Sequence, residues 1–180
     1  MKRIILVDGN SLMYRAYYAT AFTGNLMQNS KGLYTNAIYS FIKMFEHLAS
    51  QEYDNILVAF DAGKQTFRHE ILDSYKGGRS PMPEEMRVQI PHIKEYLHLM
   101  NIKEYQLPLY EADDIIGSMA RLAISEGYHV DIYSSDIDLL HLVNPNTTVH
   151  LTKKGMTDLE DFTPEHVIEK YGYRYLKLFK

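Results

Sequence analysis

The chain has 180 residues, of which 46% are hydrophobic and 23% charged, so it is long and apolar enough for one globular domain and is not intrinsically disordered. Its formal net charge of −4 lacks the basic excess that is usual in nucleic-acid-binding proteins, so such a function must depend on where the charges lie. The absence of cysteine excludes disulfides, thiolate metal sites and cysteine nucleophiles and fits a reducing cytoplasm, and no apolar run is long enough to span a membrane.

Two hydrophobic periods alternate along the chain. Continuous apolar runs predict buried strands, and apolar steps of three and four residues predict helices. The predicted strands are Arg3–Val7, Asn55–Phe60, Val130–Ser134 and Thr148–Leu151; the predicted helices are Asn36–Ala49, a pattern from Glu84 to Met100, Glu111–Ser125, and one that begins at Thr163-Pro164-Glu165. Pro91 should kink or restart the helical pattern in which it lies. This alternation predicts a three-layer α/β fold, with a mostly parallel central sheet flanked by helices.

No repeat or linker divides the chain, so we expect a single domain over residues 1–180. One segment, Thr66–Met82, fits neither hydrophobic period and contains Gly77, Gly78 and Pro81. It is expected to be a long excursion, of the kind that is often functional in compact α/β domains.

Acidic residues follow the predicted strands. Asp8 and Asp61 come directly after two strands, and Asp136 and Asp138 follow a third within four residues. Because the carboxyl ends of parallel strands share one edge of the sheet, we expect these acids to meet there. A fourth group, Glu111, Asp113 and Asp114, begins a predicted helix, whose positive dipole end favours carboxylates.

Seven carboxylates in one crevice would repel one another unless cations compensate them. Oxygen ligands without cysteine or paired histidines select hard ions, so the pattern predicts Mg²⁺ or Mn²⁺. Two such ions can activate a water and stabilise the leaving oxygen in phosphodiester hydrolysis. For any one acid, however, an ordinary turn or helix cap explains its position equally well.

Five motifs carry a resemblance to a known family. They are ILVDGNSLMYRAYYA, LVAFDAGKQTFRHE, YKGGRSPMPEEMRVQIP, YEADDIIGSMA and SSDIDLLHLV, which stand in this order between about Arg3 and about Tyr171. In these motifs the chain resembles the 5′ nuclease (flap endonuclease-like) family, and within it the 5′–3′ exonuclease domains of bacteria.

The resemblance implies a fold, a site and a substrate. It implies a helical arch or clamp over about residues 64–91 and two Mg²⁺ or Mn²⁺ ions at the acids. The substrate that it implies is DNA with a 5′ flap, branch or single-stranded 5′ end, and a polymerase domain in a longer parent protein is an implied covalent partner. Metal ligands would be Asp8, Asp61, Glu111, Asp113, Asp114, Asp136 and Asp138. Lys76 and Arg79 would join Asp113 as catalytic residues, and the residues that contact DNA would be Arg15, Phe67, Arg68, Tyr75, Lys76 and Arg79.

The sequence also departs from the family. The family continues past Tyr171 with further carboxylates and a helix-three-turn-helix that grips duplex DNA, whereas residues 172–180 match neither. Ile137 stands where a basic or polar residue is expected, and His141 stands in place of glutamine. We therefore expect a complete first metal position, a weakened second one and reduced affinity for DNA, since neutralised phosphates supply much of such binding.

The sequence thus predicts a divalent-metal-dependent 5′–3′ exonuclease or flap endonuclease. Two alternatives stay open at this stage. One is a PIN-type endoribonuclease, which uses a similar acid cluster but usually lacks an arch. The other is a catalytically silent fragment that binds branched DNA.

Overall fold

The computed structural model of the protein describes residues 1–24, 26–63, 66–68, 81–154 and 158–172. Within these ranges, six strands form one sheet in the order β3-β2-β1-β4-β5-β6. All neighbouring pairs are parallel except β5 and β6, which are antiparallel. The strands are β1 (Lys2–Asp8), β2 (Asn55–Ala59), β3 (Lys103–Tyr105), β4 (Tyr128–Ser134), β5 (Thr147–Lys154) and β6 (Asp158–Phe162).

Helices cover both faces of this sheet. They are α1 (Gly9–Ala21), α2 (Asn36–Ala49), α3 (Glu84–Arg87), α4 (Ile90–Leu99), α5 (Ala112–Ser125) and α6 (Pro164–Tyr171), with a 3-10 helix at Ile137–Leu142. In β1, Ile5 and Val7 join a core cluster with α1, α2 and α4, whereas Ile4 and Leu6 join a second cluster with α5. The alternation follows from the two-residue period of a strand and makes the domain three-layered, as predicted.

Local signals in the sequence explain several element boundaries. Thr163 caps α6, because its hydroxyl oxygen accepts a hydrogen bond from the backbone N–H of His166 at 3.4 Å. The helical pattern from Glu84 is interrupted at Val88 and Gln89 and restarts at Ile90, with Pro91 in the first turn of α4. This confirms the restart predicted from the proline, whose missing N–H is harmless only near a helix start.

The chain order creates a switch point in the sheet. From β1 the chain builds outward through β2 and β3, and it then returns to place β4 on the other side of β1. The loops after β1 and β4 therefore diverge, and a crevice opens at the carboxyl ends of these two strands. Asp8 ends β1, and Ser134 ends β4, so both lie at this crevice.

Gly9 lets the chain turn from β1 directly into α1. A Cβ atom at this position would lie 2.5 Å from the ring of Phe60, which is buried in the core. Asp8 can therefore be both the last residue of a strand and the cap of a helix.

Two further expectations concern the limits of the chain. In the parts of the chain that are placed, no helix has both the length and the apolar character to cross a membrane. Half of the arch predicted over residues 64–91 and nearly all of the tail lie outside the described residues, so the single-domain division with an arch stays a prediction.

Candidate active site

A cavity of about 670 Å³ opens at the switch point. Five carboxylates are among the described residues that line it, and no lysine or arginine is. The acids are Asp8, Asp61, Glu111, Asp113 and Asp136; the other lining residues include Asn10, Ser11, Tyr14, Ser135 and Ile137. The structure thus brings together one acid from each of the three strand ends and two from the start of α5.

Asp8 is held at the bottom of this cavity and is only 5% exposed. One carboxylate oxygen accepts a hydrogen bond from the backbone N–H of Ser11 at 2.9 Å, and the other accepts from the hydroxyl of Ser134 at 2.7 Å. Burial raises the pKa of Asp8 to about 6; the two hydrogen bonds lower it in part, and the negative charges of Asp61 and Asp136 raise it further. Burial is thus the main cause of the shift, and the neighbouring acids add to it.

Serine hydroxyls connect the ends of β1 and β4. The hydroxyl oxygen of Ser134 accepts a hydrogen bond from the backbone N–H of Asp136 at 2.9 Å while its proton is donated to Asp8. The hydroxyl of Ser11 accepts from the backbone N–H of Ser135 at 2.9 Å and also contacts the Ser135 hydroxyl. These small donors fix Asp136 relative to Asp8, and none of them is among the residues predicted for the site.

The start of α5 receives the acid from β2. Asp61 accepts a hydrogen bond from the backbone N–H of Ala112 at 2.7 Å, so this carboxylate binds the positive end of the helix. Glu111, the residue before α5, is 6% exposed and lines the cavity beside Asp113. A single helix terminus therefore organises three of the five acids.

Two predicted ligands have other positions. Asp114 does not line the cavity; its two oxygens accept from the Arg68 guanidinium at 2.7 and 2.8 Å. Asp138 is exposed, lies in the 3-10 helix, and donates its backbone N–H to Asp136 at 2.9 Å.

The residues predicted to contact DNA do not lie together in the part of the structure that is described. Arg15 donates from its guanidinium to the backbone carbonyls of Thr152 and Lys153 at the end of β5. Phe67 lies beneath the Arg68 guanidinium, 4.6 Å from the ring centre. Three predicted residues of the excursion, Tyr75, Lys76 and Arg79, lie outside the described residues.

The lining acids offer the oxygen donors that the predicted ions prefer. Among the residues that are placed, no three acidic or histidine side chains lie close enough together to hold a metal ion between them. Mg²⁺ retains several of its waters and binds through one or two carboxylates rather than in an all-protein cage. An all-oxygen donor set around a roomy cavity, in which burial and then the charges of Asp61 and Asp136 raise the pKa of Asp8, therefore fits a hydrated divalent cation.

Comparison with known proteins places the chain in a family. Residues 3–172 match the family model of the 5′–3′ exonuclease, N-terminal resolvase-like domain. The chain belongs to this family. It is 50% identical over 171 residues to DNA polymerase I of Geobacillus stearothermophilus and 49% identical over 172 residues to DNA polymerase I of Bacillus subtilis (strain 168). These matches cover 94% and 95% of this chain but 19% of each relative.

Solved structures share the fold of this exonuclease-family domain. The T5 D15 protein co-crystallised with metal ions superposes with a TM-score of 0.65 at 22% identity, over 94% of this chain and 60% of that one. Flap endonuclease-1 from Methanococcus jannaschii superposes with a TM-score of 0.55 at 17% identity, over 93% of this chain and 58% of that one. These likenesses confirm the predicted three-layer 5′ nuclease fold.

Proposed function

We propose that this domain is a divalent-metal-dependent nuclease that hydrolyses phosphodiester bonds of DNA as a 5′–3′ exonuclease or flap endonuclease. The observation that carries this proposal is the meeting of five carboxylates at the switch point of the sheet, one of them buried with a raised pKa. Family membership supports the reaction class. The proposed substrate is DNA with a 5′ flap or a single-stranded 5′ end, which fits relatives named DNA polymerase I. The same relatives support the proposal that a polymerase domain is covalently attached in a longer parent protein.

The proposed metal-binding residues are the five lining acids Asp8, Asp61, Glu111, Asp113 and Asp136. Mg²⁺ or Mn²⁺ bound there would supply Lewis acidity and a water of lowered pKa. T5 5′-exonuclease, whose fold is similar, has been solved with divalent zinc ions bound. Asp138 and Asp114 stand further from the cavity, so we assign them at most an indirect part.

The chain's own residues would hold and orient the substrate. Tyr14 lines the cavity one helical turn into α1, where its ring can contact a nucleotide at the acids. From the family resemblance, Lys76 and Arg79 are proposed to neutralise the scissile phosphate, with Phe67 and Tyr75 nearby. The Arg15 guanidinium is bound to the end of β5, so its proposed role is to fix α1 against this strand beside the DNA path.

A nuclease assay with a matched pair of variants tests the function. Asp113→Asn removes one lining charge, and cleavage of 5′-flapped DNA in Mg²⁺ or Mn²⁺ should fall by about 10²-fold or more, as when a charge-stabilising group is lost from an active site. The control is Asp54→Asn. Asp54 lies at the amino ends of the strands, away from the cavity, where it accepts a hydrogen bond from the backbone N–H of Arg3, and asparagine can still accept this bond. Cleavage by the control should match the wild type, and chelation should abolish both activities.

Other outcomes would identify the competing functions. Cleavage that resists chelator or survives Asp113→Asn would reject the proposed site. Binding of flapped DNA without metal-dependent turnover would identify a silent DNA-binding module, and a preference for structured RNA would identify an endoribonuclease.

A further inference from the structure

Arg68 makes the ion pair at the start of α5. Its guanidinium donates to both oxygens of Asp114 at 2.7 and 2.8 Å, a bidentate arrangement, and one of its nitrogens lies 3.6 Å from a Glu111 carboxylate oxygen. The guanidinium also stacks on Phe67, whose ring packs against Tyr110 with 5.6 Å between centroids. Arg68 is thus held from two sides and is only 30% exposed in its side chain.

Asp114 also accepts a hydrogen bond from the backbone at the start of α5. The oxygen that accepts from Arg68 at 2.8 Å also accepts the backbone N–H of Glu111 at 3.0 Å. This hydrogen bond satisfies a donor at the beginning of the helix and fixes the backbone of Glu111. Asp114 therefore does not contact the cavity itself, and it affects the cavity only by positioning other residues.

Glu111 and its neighbour Ala112 are the residues that this arrangement places. Glu111 lines the cavity, and the N–H of Ala112 holds the Asp61 carboxylate at 2.7 Å. If the first turn of α5 moved, both carboxylates would move with it. Groups that orient a metal's ligands commonly change its affinity even though they do not touch it.

We propose that Arg68 and Asp114 form a positioning pair that holds Glu111 and Asp61 in place for the metal, and that Asp114 is not itself a metal ligand. This inference rests on the proposed function. It revises two predictions from the sequence, since Asp114 was expected to bind an ion and Arg68 to contact DNA. In this arrangement the Arg68 charge is directed at the protein's own carboxylates.

Binding of Mn²⁺ to the full chain, measured by electron paramagnetic resonance, separates positioning from ligation. Asp114→Asn and Arg68→Gln should each weaken Mn²⁺ binding by about 10–100-fold without changing the number of ions bound. Asp113→Asn should reduce the number of ions or weaken binding further. Arg68→Lys should fall between Arg68→Gln and the wild type, because an ammonium cannot donate bidentately.

The double variant Arg68→Gln/Asp114→Asn tests whether the two residues act as one unit. Its Mn²⁺ affinity should be no lower than that of the single variant that binds Mn²⁺ less tightly. The reason is that the second change removes an interaction that is already lost. The proposal is overturned if Asp114→Asn removes an ion as Asp113→Asn does while Arg68→Gln binds Mn²⁺ like the wild type.

Thermal unfolding without metal gives a result that does not depend on the proposed function. Arg68→Gln and Asp114→Asn should each lower Tm by about 3 °C or more, with no further loss in the double variant. Additive losses would overturn the pair, whereas failure of Asp113→Asn and Asp8→Asn to affect Mn²⁺ binding would reject the proposed metal centre alone.

Discussion

The carboxylate of Asp8 lies where the apolar core ends and the acidic cavity begins. Its neighbours in β1, Leu6 and Val7, are fully buried, and Asp8 itself is 5% exposed. Two hydrogen bonds do not compensate the desolvation of an ionised carboxylate, so the pKa stays raised, at about 6. In metal-free protein, an ionised Asp8 therefore opposes folding.

The sign of this effect predicts a pH dependence. The pKa of Asp8 is about 6 in the folded protein against an ordinary value of 3.8, so the folded state binds the proton more tightly and loses stability as pH rises through this interval. Asp8→Asn stays neutral. In metal-free buffer it should exceed the wild type in unfolding free energy by up to about 3 kcal/mol at about pH 8 and by nearly nothing at about pH 4.

Urea unfolding at several pH values measures this difference, with Asp54→Asn as the control. Asp54 is exposed and lies at the other edge of the sheet, so its substitution should not produce the same pH trend. A difference between Asp8→Asn and wild type that does not change with pH would contradict the raised pKa.

The positions of these acids could be predicted because one rule covers them. Asp8 ends a strand, Asp61 and Asp136 each follow one, and parallel strands end at one edge. The rule cannot separate Asp113 from Asp114, which are adjacent in the sequence. Their difference depends on Arg68, which is 46 residues away from Asp114 along the chain, and local periodicity contains no information about that contact.

At the scale of elements, a buried amide joins three helices. Gln89, in the turn between α3 and α4, accepts from the backbone N–H groups of Ala37 and Ile38 at the start of α2 and donates to the side chain of Asn36 and the carbonyl of Glu85. Asn36 in turn donates to the carbonyl of Tyr17 in α1. Every donor and acceptor of the Gln89 amide is used.

Removal of this amide should therefore be costly. Gln89→Leu leaves buried groups of Asn36, Ala37 and Ile38 without their partner, and each unsatisfied group costs about 1–3 kcal/mol. Denaturant unfolding should show a loss of about 3 kcal/mol or more.

A glutamine at the surface provides the matched control for Gln89→Leu. Gln106 is exposed and accepts from Lys94, so Gln106→Leu should change the unfolding free energy by no more than about 0.5 kcal/mol. Equal effects of the two substitutions would show that the buried amide does not join the helices.

Some elements could not be predicted for a physical reason. β3 is a three-residue strand whose residues, Lys103 to Tyr105, are all exposed, and β6 begins with Asp158 and contains Glu160 and Asp161. Neither has the apolar run that marks a buried strand. Each lies at an edge of the sheet, where pairing with a neighbour rather than hydrophobic burial selects the extended conformation.

At the scale of the whole molecule, a charged network crosses four neighbouring strands. Asp131 in β4 accepts from Arg3 in β1 at 2.9 Å and from His150 in β5 at 3.0 Å, and the other ring nitrogen of His150 lies 2.7 Å from Asp161 in β6. The His150 ring also stacks on Tyr133 with 4.4 Å between centroids. Since ionised carboxylates only accept, this geometry suits an imidazolium, in which both ring nitrogens donate.

This network gives a pH dependence of the opposite kind from a buried neutral histidine. Burial lowers the pKa of His150, but hydrogen bonds to Asp131 and Asp161 outweigh burial and leave the pKa above its ordinary value. The stability that His150 contributes is then complete below the unfolded pKa and is lost as pH rises through the folded pKa. His150→Gln should lower the unfolding free energy more at about pH 6 than at about pH 9.

Denaturant unfolding at the two pH values checks this expectation, and His47→Gln, at an exposed position of α2, should show no such trend. A loss in His150→Gln that is the same at both pH values would mean that His150 is neutral. None of the eight histidines has a ligand spacing along the chain, and the partners of His150 lie on adjacent strands, so its role could not be predicted from the sequence.

The contact between Gly9 and Phe60 links the acidic edge to the hydrophobic interior. Phe60 is packed between helices and sheet, so its ring has little room to withdraw from anything larger than a hydrogen atom at position 9. The position of the Asp8 carboxylate is consequently determined by packing in the core as much as by the side-chain torsions of Asp8. A change of side-chain volume near the Phe60 ring would therefore shift Gly9 and, with it, the carboxylate at the proposed cation site.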